Sequence, residues 1–461
     1  MRRKIVIWAL IGVILVSVSC GGGGDGLQPP IPPAAIVGDN SGGAIAVYQI
    51  WRMSDSYVQF YVQKISRQGD LLWGENGVLM GSGYGAARTY AGDLHAVTDG
   101  SGGAIVIWPA FPSQPEGEPS SLQTHVARID FEGNIKWRRD IPGINLAITD
   151  GSGGVIIAYT DSYDEIAVLK VDAEGNLPWG QDGVSLNLGE PYAADIVSDS
   201  LGGVIVVAPT LRGTNIISAQ RVDSEGNILW QTGGVQASAS PAEEARAVSD
   251  GAGGAIIAYM GAAPCDDGVG NCDVDIYAQR IDAEGNVLWG PDGVPICAGS
   301  PWPNTPKIVT DGAGGAVIFF TFVGDETSAF GYMAIQAGRI DADGHRLWPE
   351  NVEVWPTGYH SLVSDGFGGG ISVQYGGDGR SGGAQRLDAT GRKLWGPDGT
   401  TLTFRDLHSE LAFPDGCGGA LISWTAVKFT GDEVSEVSYY VQRVDADGNL
   451  PWGGEGILLN P

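Results

Sequence analysis

The residues of this chain that could do chemistry are five cysteines, five histidines and 54 acidic side chains among 461 residues. Cys265 and Cys272 flank Asp266-Asp267-Gly268-Val269-Gly270-Asn271. Two cysteines that close a short loop suit a disulfide in an exported protein, and that bond is expected here. Cys297 lies in an apolar run and Cys417 in a turn, so both are expected as free, small thiols. Asp266, Asp267, Asn271, Asp273 and Asp275 form an oxygen-rich set of the kind Ca²⁺ takes. Their spacing matches no standard calcium loop, so a solvated acidic loop is expected, with no metal and no cofactor. Asp341-Ala342-Asp343-Gly344 starts like an EF-hand loop but lacks the downstream Glu, and it repeats a turn found elsewhere. His95, His125, His345, His360 and His408 show no metal-ligand spacing with one another or with cysteine.

Most of the acids recur at fixed places, and recurrence argues for architecture. An Asp begins a D-x-x-G-G pattern at Asp39, Asp99, Asp150, Asp199, Asp250, Asp311, Asp365 and Asp415. A Trp follows each of them in strict alternation, at Trp73, Trp137, Trp179, Trp230, Trp289, Trp348, Trp395 and Trp452. A catalytic pair is needed once, so a carboxylate present in every copy is assigned to turns. Each copy reads as four short strands, A to D. Strand A ends at the Asp, and Gly residues make the A–B turn. Strand B is an apolar run such as Ala255 to Tyr259, buried on both faces. Strand C alternates, as in Tyr277 to Ile281, and Asp282-Ala283-Glu284-Gly285 is the C–D turn. Strand D is expected to start at the Trp. With 73 Gly and only 17 % charged residues, the chain is turn-rich and folded. Its net charge of -28, with only 26 Lys and Arg, excludes nucleic acid as a partner.

Repeats of about 50 residues with four strands each indicate an all-β, eight-bladed β-propeller over residues 34–461. Ala278 through Trp289 resembles the tryptophan-docking motif of the pyrroloquinoline-quinone-type propellers, with G-x-x-x-W matched by Gly285 and Trp289. The spacing before the Gly departs by one residue on each side of the Asp. The resemblance implies that the eight repeat Trp are structural and pack between blades. The quinone is not carried over, because the adjacent Cys pair of the quinone-binding members is missing. No strand is left over at either end to complete the opposite terminal blade. Closure is expected through side-chain packing alone, or through pairing of Ile457-Leu458-Leu459 with the first blade.

The N-terminus carries a different signal. Arg2, Arg3 and Lys4 precede the apolar run from Ile5 to Val16, which is short for a membrane span. Ser17-Val18-Ser19-Cys20 resembles the lipobox of bacterial lipoproteins, although Ser17 stands where that family usually has Leu. The resemblance implies a signal peptide over 1–19, lipid attachment at Cys20 and a Gly- and Pro-rich tether over 20–33. The protein is then expected on a bacterial membrane, held by the lipid only, facing the periplasm or the surface.

The A–B and C–D turns share one face of such a ring, and the B–C and D–A loops share the other. Turn lengths hold constant, whereas Asp-to-Trp separations run from Asp150–Trp179 to the longer Asp250–Trp289. One face is therefore uniform and one individual, and individual loops on a rigid scaffold are where binding is expected. Trp51, Tyr163, Tyr192, Trp302, Trp355 and Tyr359 are the aromatics assigned to that face. The expected function is a non-catalytic binding or scaffold propeller of the cell envelope, taking a protein or glycan. The alternatives are an enzyme acting on extracellular polysaccharide, and a propeller lipoprotein of envelope assembly.

Overall fold

The computed structural model describes residues 34–52, 57–84, 94–110, 123–142, 146–160, 165–188, 195–210, 215–262, 274–297, 306–323, 333–356, 359–375, 380–404, 407–430 and 433–459. These form eight four-stranded antiparallel sheets, each built from consecutive strands in the order A-B-C-D. Blade 1 spans 35–84, blade 2 95–142, blade 3 146–185 and blade 4 195–236. Blade 5 spans 242–297, blade 6 307–355, blade 7 359–403 and blade 8 407–458. The chain is an eight-bladed β-propeller. Residues 1–33, with the signal, Cys20 and the tether, lie outside the described residues.

The first strands of neighbouring blades contact one another around the whole ring, blade 8 touching blade 1. Strands A therefore line the axis and strands D lie at the rim. The molecule has no single core. Apolar slabs fill the space between each pair of adjacent sheets. This is why strand B reads as a continuous apolar run: Ala255, Ile256, Ile257, Ala258 and Tyr259 are all buried, alternately against blades 4 and 6.

Ring closure follows the side-chain route. Ile457 and Leu458 pair with Val441 and Tyr440 of their own blade, as strand D of blade 8. Between blades 8 and 1, Tyr439, Val441 and Leu459 pack on Ile36, Ala46 and Tyr48. The Ser423 hydroxyl donates to the Ala34 carbonyl at 2.6 Å across the same seam.

Strand D differs from expectation. In blade 5 it is Val294–Cys297, and Trp289 precedes it. A second turn, Gly290-Pro291-Asp292-Gly293, stands between them. Similar second turns hold the Trp ahead of strand D in blades 1, 3, 4, 6, 7 and 8. Only Trp137 lies inside its strand, Ile135–Pro142. The second turn sets where strand D begins; blade 2, whose chain runs on from Trp137 as Arg138-Arg139-Asp140 without such a turn, keeps its Trp in the strand and still donates the indole N–H to the Ala173 carbonyl of blade 3 at 2.8 Å.

Candidate functional site

The repeated residues build one device, seen clearly between blades 5 and 6. Asp250 ends strand A. Its Oδ1 accepts the Ala252 and Gly254 backbone N–H groups at 2.8 Å each, which closes the A–B turn. Its Oδ2 accepts Nε and Nη2 of Arg280, on strand C of the same blade, at 3.0 and 2.8 Å. The remaining arm of Arg280 donates to the Ala342 carbonyl in the C–D turn of blade 6 at 2.8 Å. Trp289 donates its indole N–H to the same carbonyl at 3.3 Å. The indole lies on Gly344, whose φ is +87° and where a Cβ would come within 2.9 Å of the ring. Gly is required there twice over, by backbone conformation and by space.

The Asp–cation pair recurs in every blade, as Lys64–Asp39, Arg128–Asp99, Lys170–Asp150, Arg221–Asp199, Arg280–Asp250, Arg339–Asp311, Arg386–Asp365 and Arg443–Asp415. Sequence reasoning saw the eight Asp as turn residues and missed their partners. The signal was present: a cation stands two residues before the first residue of each C–D turn, as in Gln279-Arg280-Ile281-Asp282 and Gln442-Arg443-Val444-Asp445. The Gln has a role too. Gln279 donates to the Gly290 carbonyl and accepts the Trp289 backbone N–H, which fixes the approach of the indole. The turn Asp residues are also engaged. Desolvation disfavours ionisation of Asp282, but hydrogen bonds from the Asn286 side chain and backbone outweigh it and hold its pKa below the usual carboxylate range.

These charges are used up in structure. A different set sits at the mouth of the axial channel, on the D–A loop side, where strands A begin. Four residues before the repeat Asp, blades 1, 3, 7 and 8 carry Ala35, Leu146, Ser361 and Leu411, while blades 2, 4, 5 and 6 carry His95, Asp195, Arg246 and Lys307. His360 of blade 7 stands one residue earlier. Asp195, Arg246 and Lys307 thus mark an arc of strand-A positions over three consecutive blades, which His360 extends into the fourth from the opposite face of its strand, and each occurs once. Asp195 accepts the Ala247 backbone N–H of blade 5 at 2.8 Å and the Ile196 N–H at 2.9 Å. Burial raises its pKa, and the Ala247 bond and the Arg246 charge only partly offset this. Burial, with help from the Lys307 charge, pushes the His360 imidazole down to about 3. Its Nε2 is buried without a hydrogen-bond partner, and Phe319 of blade 6 lies 6.4 Å away. The arc is suited to recognition. Among the described residues the arc holds one carboxylate, Asp195, tied to backbone.

The aromatics assigned to the loop face divide. Tyr163, Tyr192 and Trp302 lie outside the described residues, as do Cys265 and Cys272. The backbone of Trp51 pairs with Val58 in blade 1, and that of Tyr359 with Tyr375 in blade 7. Trp355 is a correction: it is buried between blades 6 and 7, donating its indole N–H to the Ser372 hydroxyl at 3.2 Å. Gly383 and Gly399 of blade 7 make room for its ring, so it is a packing residue. Cys297 is buried and free, its thiol pushed up to about 11 by burial and the nearby Asp275; Cys417 is exposed and free. Asp341, Asp343 and His345 draw together on one exposed turn, where Asp341 accepts the backbone N–H groups of the other two.

No protein-family model matches the chain, and no curated protein is similar to it. Among solved structures it resembles the β-propeller domain of the Trilobed protease from Pyrococcus furiosus, which has an open velcro topology. The identity is 10 %, the TM-score 0.43, and the match covers 78 % of this chain and 98 % of that one. It also resembles the polysaccharide lyase Uly1, at 8 % identity and TM-score 0.41, with 92 % of each chain covered. The SapL1 lectin, seen with alpha methyl fucoside, matches at 11 % identity and TM-score 0.34, over 79 % of this chain and 96 % of the lectin. Likeness at this level carries nothing about activity.

Proposed function

We propose that this chain is a non-catalytic binding propeller, exported and lipid-anchored through Cys20 in a bacterial cell envelope. Its protein or glycan partner sits on the face formed by the B–C and D–A loops. The observation that carries this reading is the division of charge. The eight repeated Asp–cation pairs are spent within the turn face, while the single-copy groups Asp195, Arg246, Lys307 and His360 gather where the D–A loops enter the ring. Single-copy groups on a uniform scaffold are what a specific site requires. The latch of Trp on Gly supports kinship with the tryptophan-docking propellers, without their quinone. The mixed charge suits a partner with acidic groups, met by Arg246 and Lys307.

Two experiments test this. Cys20→Ser should release the processed protein from the membrane fraction; retention there after signal cleavage overturns the anchor. For binding, envelope polysaccharides and envelope proteins are offered to the full chain and to an Arg246→Gln, Lys307→Gln variant. Loss of the captured partner in the variant, with melting unchanged, supports the channel mouth. Turnover of a polysaccharide by the unaltered chain overturns the non-catalytic reading.

A further inference from the structure

The turn face carries a feature that the latch does not need. The residue before the docking Trp is Leu in five blades: Leu72, Leu229, Leu288, Leu347 and Leu394. All five are exposed, Leu394 least at 37 % and Leu72 most at 51 %. The indole turns inward to the next blade, so the preceding side chain turns out. The backbone holds it there: the Leu229 N–H donates to the Arg221 carbonyl, and the Leu288 N–H to the Arg280 carbonyl, at 2.9 Å each. Lys136, Pro178 and Pro451 fill the same position in blades 2, 3 and 8, so the fold does not require Leu. In blades 4 and 5 the residue before the Leu is apolar and exposed as well, as Ile228 and Val287. Ile228-Leu229 and Val287-Leu288 thus each put two adjacent apolar side chains in solvent, more than the singly scattered ones that any surface carries.

Around blades 4 and 5 the exposed charge of the C–D turns is acidic, while blade 6 adds the cation Arg346. Exposed acids stand in the C–D turns of blades 4 to 6, at Glu225, Glu284 and Asp343. The strand-C cations of these blades, Arg221, Arg280 and Arg339, are bound to Asp199, Asp250 and Asp311. Arg346 donates to the Asn351 side chain at 2.6 Å. A cavity opens between blades 4 and 5, with Leu229 and Val287 on its walls and Glu284 beside them. The second turn of blade 4, Gln231-Thr232-Gly233-Gly234, also lines it. The equivalent turns of blades 5 and 7 carry Pro and Asp there, as Pro291-Asp292 and Pro397-Asp398. The lining is mostly polar, with Leu229 and Val287 set beside the Glu284 carboxylate; a Lys or Arg side chain matches this, its stem packing on the two apolar side chains while its head meets the acid.

We propose that the rim of the turn face at blades 4 and 5 docks a basic, leucine-containing segment of a partner protein, one cationic side chain entering the Leu229–Glu284–Val287 cavity. The charge favours this occupant over the alternatives. A second copy of a chain with net charge -28 brings like charge to like. An anionic lipid surface does the same. This site is on the face opposite the channel mouth, so it stands apart from the function proposed above.

The test uses the full chain and a fluorescein-labelled peptide of alternating leucine and lysine, with a leucine–glutamate peptide beside it. Leu229→Ser and Glu284→Gln should each weaken the lysine peptide by about tenfold, as loss of an anchor in a pocket does. Leu72→Ser, at the same repeat position in blade 1, should leave binding unchanged. All three residues are exposed, and melting curves confirm that the variants fold. Failure of the lysine peptide to bind, equal loss with Leu72→Ser, or equal binding of the glutamate peptide overturns the proposal. So does a preference for anionic lipid vesicles that Leu229→Ser abolishes, which would make the rim a membrane contact.

Discussion

The indole N–H of Trp452 donates to the carbonyl of Arg67 at 3.2 Å, across 385 residues of chain. The ring lies on Gly69 as Trp289 lies on Gly344. The seam between the last blade and the first is therefore fastened by the same latch as the internal boundaries. Among the described residues no strand is exchanged, and the repeat itself closes the ring. Loss of this latch should cost as much as loss of an internal one. Trp452→Ala and Trp289→Ala should each destabilise by ~3–5 kcal/mol, the usual cost of deleting a buried Trp side chain. Thermal scans check this. Trp302→Ala, in a D–A loop, should leave melting unchanged while weakening the partner. Parental melting of Trp289→Ala would remove the latch from the account of stability.

The Asp–Arg pair makes a separate prediction. Arg280→Met leaves the Asp250 carboxylate, 1 % exposed, without its counter-charge. Breaking such a pair from one side typically costs ~3–5 kcal/mol. Adding Asp250→Ala should cost less than the two single changes together, because no orphaned charge remains. A double-mutant cycle by denaturant unfolding reads this coupling. Strict additivity would show that the two residues act independently.

Stability should fall with acid earlier than the carboxylates alone would dictate. Burial pushes the His95 imidazole down to about 4, and burial with the Lys307 charge takes His360 to about 3. Both lie below the free imidazole value of ~6.5, so between these limits the unfolded chain binds the more protons. Their contribution is complete above pH ~6.5 and is lost as pH falls toward the folded values, on the order of 2 kcal/mol for each by pH ~5. The double variant His95→Gln, His360→Gln should flatten the melting profile between neutral and mildly acidic pH. An unchanged slope would place the acid sensitivity elsewhere.

A non-reduced digest should contain one linked peptide pair, Cys265 with Cys272. Cys297 should react with a thiol reagent only after denaturation, because it is buried and its thiol titrates near 11. Cys417, exposed in an A–B turn, should react at once. Free thiols at both Cys265 and Cys272 after isolation without reductant would remove the expected bond.

Much of this protein was legible in the order of its residues. A period of about 50 residues, marked by Asp250 and Trp289 and their counterparts, specifies blades, because each sheet exposes two apolar faces that only neighbouring sheets can cover. The Gly of each C–D turn was legible as a turn residue, and the Trp as a wedge. What the linear pattern does not display is which groups meet across the ring. The pairing of Arg280 with Asp250 was hidden by a separation of 30 residues, although both ends recurred. The burial of Trp355 depended on Gly383 and Gly399 of the next blade, two small residues whose significance lies only in the space they leave. The arc of Asp195, Arg246, Lys307 and His360 could not be read from spacing, since its members stand one blade apart on strands that meet only at the axis. Repeats encode their own packing because every copy selects for it. A single-copy site is assembled by closure, and only the closed ring decides which singular residues become neighbours.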